Sequence, residues 1–286
     1  MASGVPTNRT NITLPADLSS EVIAKTQEAS AIMQLARQIQ LPGSGAAVPV
    51  ITSDPEADWV AETGKKPVSN PGLSTKVMTP YKLAVIVPFS NEFRRDADVL
   101  YNALVERLPN ALAAKFDATV IGGNAPGTGF DVLSSCQTST ADFAGFVGAM
   151  GDIATNGGNM DGIILSPAAK AAVLGATDLQ GRPLFINNAT EGGLATILGA
   201  KTLTEKAAAV SGVCDGVAGD WTQALYGTVE GVKIDISDQA TLTAGTAQSP
   251  VTINLFQQNM FAVRAEIEVG FVADTNCFNL LTISES

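Results

Sequence analysis

Lys66, Asn259 and Glu266 are residue types from which a protein can build a covalent bond between its own side chains. A lysine amine freed of its proton can attack the carboxamide carbon of an asparagine. The new N–C bond is an isopeptide, ammonia leaves, and a nearby carboxylate assists by taking the proton. Lys66 lies in the turn-rich stretch GKKPVSNPG (64–72), while Asn259 and Glu266 stand seven residues apart on an apolar C-terminal segment. Spacing alone does not bring the three together. Most other chemistry is closed off. The chain has no histidine, which removes the commonest general base and the commonest metal ligand at once. Cys136, Cys214 and Cys277 are odd in number and form no CxxC pair. They argue against a disulfide framework and read as small apolar residues in a reducing compartment.

Three further stretches resemble sites and lack the context. IGGNAPGTG (121–129) is glycine-rich, but it follows a helix pattern and no Lys-Ser/Thr follows it. It reads as a turn rather than a phosphate cradle. GDIATNGGNMDG (151–162) carries Asp152, Asn156, Asn159 and Asp161 without calcium-loop spacing, so a solvated loop is expected. Trp59 and Trp221 read as core or interface anchors rather than ligand platforms. No cofactor and no metal is expected.

Bulk properties narrow the class. A net charge of −11 does not suit a protein that grips nucleic acid along a basic groove, although such a chain can enclose it. Hydrophobic residues at 45% supply a sizeable core, and 27 glycines with 16% charged residues suit a β-rich or mixed chain better than a helical bundle. The opening MASGVPTNRTNITLP has no apolar core of a signal peptide. No apolar run approaches the ~18 residues of a membrane span.

The elements that must position these residues follow from pattern. Residues 1–16 read as an extended arm. DLSSEVIAKTQEAS (17–30) predicts a short helix capped by Ser19 or Ser20, and AIMQLARQIQL (31–41) fits strand or helix. Ala46–Glu62 and Ser74–Pro88 predict the two arms of a long hairpin. In the second arm Val77, Thr79, Tyr81, Leu83, Val85 and Val87 form one period-2 face. An isolated hairpin is marginal in water, so this one is either a surface loop or an arm stabilised by another chain. Leu100, Leu104, Leu108, Leu112, Phe116 and Val120 recur every fourth residue over a predicted helix from Ala97 to Ile121. Pro109 should kink or divide it. Residues 141–245 predict an α/β module. Within it, Gly162–Leu165 is a strand, Ser166 an N-cap and Pro167 the first helical residue. YGTVEGVKIDIS reads as a strand pair. The segment after it, from VTINLF onward, reads as strand returning to the first core.

Taken in order, LPADLSSEVIAKTQEASAIMQLARQI, ADWVAETGKKPVSNPGLSTKVMTPYKLAVIVPFSNEF, DADVLYNALVERLPNALAAKFDATVIGGNAPGTG, AGDWTQALYGTVEGVKIDIS and FQQNMFAVRAEIEVGFVADTNCFNLL resemble the major capsid proteins of tailed bacteriophages with the HK97-type fold. The resemblance implies an α+β chain. Its parts would be an N-terminal arm and short helix (1–30), a P-domain strand (31–45), an extended E-loop hairpin (46–88), a P-domain with its spine helix (89–140), an α/β A-domain (141–245) and closing P-domain strands (246–286). It implies a structural protein, not an enzyme. Many copies would form the hexamers and pentamers of an icosahedral head around double-stranded DNA, in a virion assembled in the host cytoplasm.

The resemblance also implies that the E-loop lies across a neighbour. Trp59, Glu62, Lys65, Lys66, Pro67 and Asn70 would then sit at the inter-subunit contact. Lys66 aligns with the lysine that reacts in self-cross-linking members, Asn259 with its acceptor and Glu266 with the base. Portal and scaffolding proteins are the implied partners, with a decoration protein as a further one, and no membrane. The chain starts at a methionine without a long charged helical segment before the arm, so scaffolding is expected from a separate protein or a longer precursor. The alternative of the same fold is an encapsulin, a shell holding protein cargo and no nucleic acid.

Overall fold

A computed structural model describes residues 26, 29–53, 57–60, 62, 65–66, 68, 72–91, 97–177, 196–246 and 249–283. In chain order its elements are α1 (Ala31–Leu35), β1 (Arg37–Gln40), β2 (Ala46–Ser53), β3 (Gly72–Met78), β4 (Tyr81–Ser90), α2 (Ala97–Gly122), β5 (Gln137–Thr140), α3 (Phe143–Thr155), β6 (Gly162–Leu165), α4 (Pro167–Gly175), β7 (Thr196–Ile197), β8 (Ala200–Thr204), β9 (Gly216–Gly219), β10 (Ala224–Thr228), β11 (Lys233–Ser237), β12 (Thr241–Thr246), β13 (Ser249–Asn254), β14 (Met260–Ala273) and β15 (Phe278–Thr282). The ambiguous stretch 31–41 is both things in turn, one helical turn and then a strand. The helix expected over 17–30 falls mostly outside the described residues; Thr26 and Ala29 are helical.

Two sheets and one long helix make the body. β14 is the spine of a five-stranded sheet. It pairs with β4 along Met260–Val269, with β10 along Val269–Ala273 and with β11 along Ala262–Glu266, while β1 extends the sheet from β10. The second sheet has six strands in the order β5-β15-β9-β6-β8-β7. Helix α2 runs ~39 Å at 1.5 Å per residue. Its every-fourth-residue stripe is inward where side chains are described: Leu108 and Leu112 pack on Leu83, Val85, Val263, Ala265 and Ile267. Phe116 and Val120 enter the main core with Tyr226, Phe271, Val217 and Leu280, which come from both sheets, and with Trp221 from the turn between β9 and β10. Each such buried side chain contributes about 1.5–3 kcal/mol, so the helix holds the two sheets as one body.

The expected strand, cap and helix over 162–175 are present. Ser166 Oγ accepts from the Ala169 N–H at 3.0 Å, and Pro167 opens α4. Several expectations are corrected. Pro109 does not divide α2, which is helical on both sides of it; Pro109 and its neighbour Leu108 are buried, and packing there outweighs the missing hydrogen bond. Residues 151–155 are not loop but the last turn of α3, whose buried Phe146, Ala149 and Ile153 carry the helix to that point. YGTVEGVKIDIS is not a strand pair: β10 and β11 follow one another along β14 and do not bond to each other. The second hairpin arm is not one strand. It breaks at Thr79–Pro80, where proline offers no N–H, and Thr79 N–H instead donates to Gly129 O at 2.9 Å. The break inverts the pleat. Met78 is buried and Val77 exposed, whereas Tyr81, Leu83, Val85 and Val87 face in and Lys82, Ala84 and Ile86 face out.

The C-terminal segment also departs from a single return to the first core. β12 and β13 form a second hairpin, β14 enters the five-stranded sheet and β15 the six-stranded one. Strand β10, inside the span expected for the A-domain, belongs to the sheet of β14. The chain therefore crosses between sheets twice in this region.

Candidate assembly surfaces

β2 and β3 pair antiparallel from Ala46↔Met78 to Ser53↔Gly72 and with no other strand among the described residues. At the far end Trp59 is 100% exposed and Val68 87% exposed. Glu62, Lys65 and Lys66 are exposed as well. Pro67 and Asn70, expected at the same contact, lie outside the described residues. A bare indole carries a large apolar area into water, and no described residue of this chain covers it. Lys66 is also exposed, and no described residue of this chain desolvates its amine.

The root of the arm is built differently. Lys76 Nζ donates to Asp131 Oδ2 at 2.9 Å and to Ala273 O at 2.7 Å, and the Ala273 N–H donates to the same Asp131 oxygen at 3.2 Å. Tyr81 O–H donates to Thr128 O at 2.7 Å. The glycine-rich turn after α2 thus has a use that its sequence did not reveal: it receives the base of the arm. Gly129, at φ +78°, leaves no room for a Cβ against Val77 O and Thr79 Oγ1.

Asn259 occupies the turn before β14 with φ +53°, a left-handed conformation that asparagine tolerates. Asn91 holds it twice. The Asn91 N–H donates to Asn259 O at 2.9 Å, and Asn91 Nδ2 donates to Asn259 Oδ1 at 2.8 Å. A donor on the carboxamide oxygen is the arrangement that stabilises charge developing there during nucleophilic attack. Asn91 was not singled out from the sequence; only the pairing of β4 with β14 places it. Glu266 lies within β14, opposite Lys233 and Ala84, with Arg264 Nε 3.7 Å from its Oε2. Arg264 also pairs with Asp235 at 2.5 Å. Met260 to Glu266 is extended strand, about 20 Å at 3.4 Å per residue. One copy therefore does not bring Asn259 and Glu266 to the same lysine.

The remaining candidates resolve into structure. Trp221 is buried. Its indole N–H donates to Gly162 O at 3.0 Å, and its ring meets Phe278 edge-on. Asp161 accepts from the Trp221 N–H at 2.8 Å; burial pushes its pKa up, aided by the charge of Asp220. The three cysteines are free thiols, and burial raises Cys136 to about 12 and Cys214 and Cys277 to about 11. None is a poised nucleophile. Among the described residues no group of three or more His, Cys, Asp or Glu side chains could hold a metal. No described helix is long and apolar enough to cross a membrane.

Comparison with known proteins decides what these surfaces belong to. The model of the phage capsid family matches residues 10–283. The chain belongs to the phage capsid family. This capsid protein is 28% identical over 285 residues to the probable major capsid protein gp17 of Mycobacterium phage D29, covering 94% of this chain and 89% of that one. It is 29% identical over 290 residues to the protein of the same name from Mycobacterium phage L5, with the same coverage. Its fold matches a solved structure from Mycobacterium phage Adephagia with a TM-score of 0.69 at 20% identity, over 90% of this chain and 91% of that one. The fold is the HK97-like one, and the protein is a structural component of a phage head, not an enzyme. These relatives do not favour the encapsulin reading.

Proposed function

We propose that copies of this capsid protein assemble as hexamers and pentamers into an icosahedral head, with each E-loop arm lying across a neighbouring subunit. The observation that carries this is the arm itself. It is a two-stranded hairpin, marginal alone, fixed firmly at its root and bare at a tip that displays Trp59 and Val68. Many weak contacts of this kind, repeated under closed symmetry, give a stable and finite shell. The acidic chain encloses double-stranded DNA without gripping it. Portal and scaffolding proteins complete assembly in the host cytoplasm. In this reading α2 with the five-stranded sheet forms the P-domain, and the six-stranded sheet with α3 and α4 forms the A-domain. Negative-stain microscopy of the expressed full chain tests it. Closed particles or capsomers are expected, and monomers alone at high concentration would overturn it.

The same reading accommodates a cross-link only as a multi-chain event. Lys66 Nζ of one copy would bond to the Asn259 carboxamide carbon of a second, releasing ammonia, with Asn91 polarising the carbonyl. The proton would pass to Glu266 of a copy other than the one supplying Asn259, because the strand separates it from its own Asn259. Boiled particles on reducing SDS gels test this. A ladder above subunit size supports it, and subunit-sized bands alone refute it.

A further inference from the structure

Asp117 points inward from α2 and is fully buried. Both its oxygens serve one segment. Ser30 Oγ–H donates to Oδ1 at 2.6 Å and the Ala31 N–H donates to Oδ2 at 2.9 Å. Ser30 Oγ in turn accepts from the Met33 N–H at 3.1 Å and caps α1. A helix of five residues does not hold itself, so a carboxylate of the long helix supplies its first turn. The charged groups around this joint are Glu205 and Lys206, on the short turn packed against α2, and Lys115 on α2 itself. Glu205 adds like charge, and among the described residues no cation forms an ion pair with Asp117. An open cleft of about 450 Å³ is lined by Ala29, Asn110, Ala114, Ala118, Glu205 and Lys206, next to Asp117 along α2.

We propose that Asp117 is a positioning residue, a proton-controlled pin that fixes the Ser30–Leu35 segment on the long helix and loosens its grip as the pH rises toward neutrality. Burial raises the Asp117 carboxyl to about 7, against the hydrogen bonds from Ser30 and Ala31 that lower it. When the segment lifts and water enters, the group returns to an ordinary value near 3.8. The attached state therefore holds the proton more tightly. Its advantage is complete below pH ~4, declines through the interval up to about 7, and is flat beyond. The chain has no histidine, so no other side chain has its ordinary titration between pH 5 and 8. This inference does not depend on the capsid geometry proposed above.

Amide hydrogen exchange on the unassembled full chain, corrected for intrinsic rates, tests it. Protection of the Met33–Ala36 amides is expected to fall about tenfold per pH unit between pH 5 and 6.5, while Val263–Ile267 in β14 stays level. Asp117→Asn, which keeps an acceptor for Ala31 and cannot ionise, should remove the slope. A level wild-type profile, or an unchanged slope in D117N, overturns the proposal. A carboxyl-carbon NMR titration of wild-type protein provides a test that needs no variant. A midpoint above pH 6 at Asp117 supports the pin, and an ordinary carboxylate midpoint refutes it.

Discussion

The β2–β3 and β12–β13 hairpins each pair two strands that join neither sheet among the described residues, yet they are anchored by different means. The first roots through Met78, which is 0% exposed, and through the Lys76–Asp131 pair, and it carries lysines and a bare tryptophan at its far end. The second roots through buried Leu255, whose N–H donates to Ala240 O and whose carbonyl accepts from the Met260 N–H. From Gln239 to Val263 the sequence holds no charged residue. Among its described residues the exposed apolar groups are single, Val251 on β13 and Phe256 in the turn after it. The contrast teaches that an arm's use is written in how it is fixed and in the charged and aromatic side chains it carries, not in the pairing that makes it an arm.

Shortening the first hairpin tests that contrast most severely. Replacing residues 57–70 with an Asn-Gly turn should abolish sedimenting particles while leaving the far-ultraviolet circular dichroism of the body unchanged. If particles form normally, the arm does not make the decisive contact. Next in size is Met78→Ala. It removes a fully buried side chain at the root and should cost about 2–5 kcal/mol in urea unfolding. Lys76→Met should cost no more than about 1 kcal/mol, because the ion pair is part-exposed, and 0.5 M salt should narrow the gap to wild type. Val251→Ala in the second hairpin, at 53% exposure, should stay within about 0.5 kcal/mol. A larger loss there would show that the second arm is packed as firmly as the first. A spectroscopic version uses Trp221→Phe to leave Trp59 as the sole indole. Its emission should be red and quenched by acrylamide in free subunits, and shift to the blue on assembly.

The sequence revealed the first hairpin because its arms are β-formers around a run of Lys, Pro, Asn and Gly at 64–72. It concealed the second because QATLTAGTAQSPVTI holds only a lone Gly245 and Ser249-Pro250, and its threonines sit equally well in strand or loop. The stripe of α2 was legible through Leu108, Leu112, Phe116 and Val120, each of which is buried. The fate of Pro109 was not, since propensity says nothing about the packing that overrides it. Asn259 and Lys66 were legible as residue types in the right order along the chain. Asn91, Asp131 and Asp117 were not, because each matters only through partners 55 to 168 residues away, which pairing of strands and helices brings near.

Of the chain's three passages between the sheets, one runs from β4 through α2 to β5, and the other two lie side by side. From β9 to β10 the chain turns through Asp220–Gln223, and from β14 to β15 through Asp274–Cys277; the Asp274 N–H donates to Gln223 O and the Asp220 N–H to Cys277 O. Two covalent tethers laced together at one seam cannot be loaded separately. Under tension that seam should give way in a single rupture instead of peeling, and a protease nick in one of its tethers should leave the other, with the α2 passage, bearing the strain.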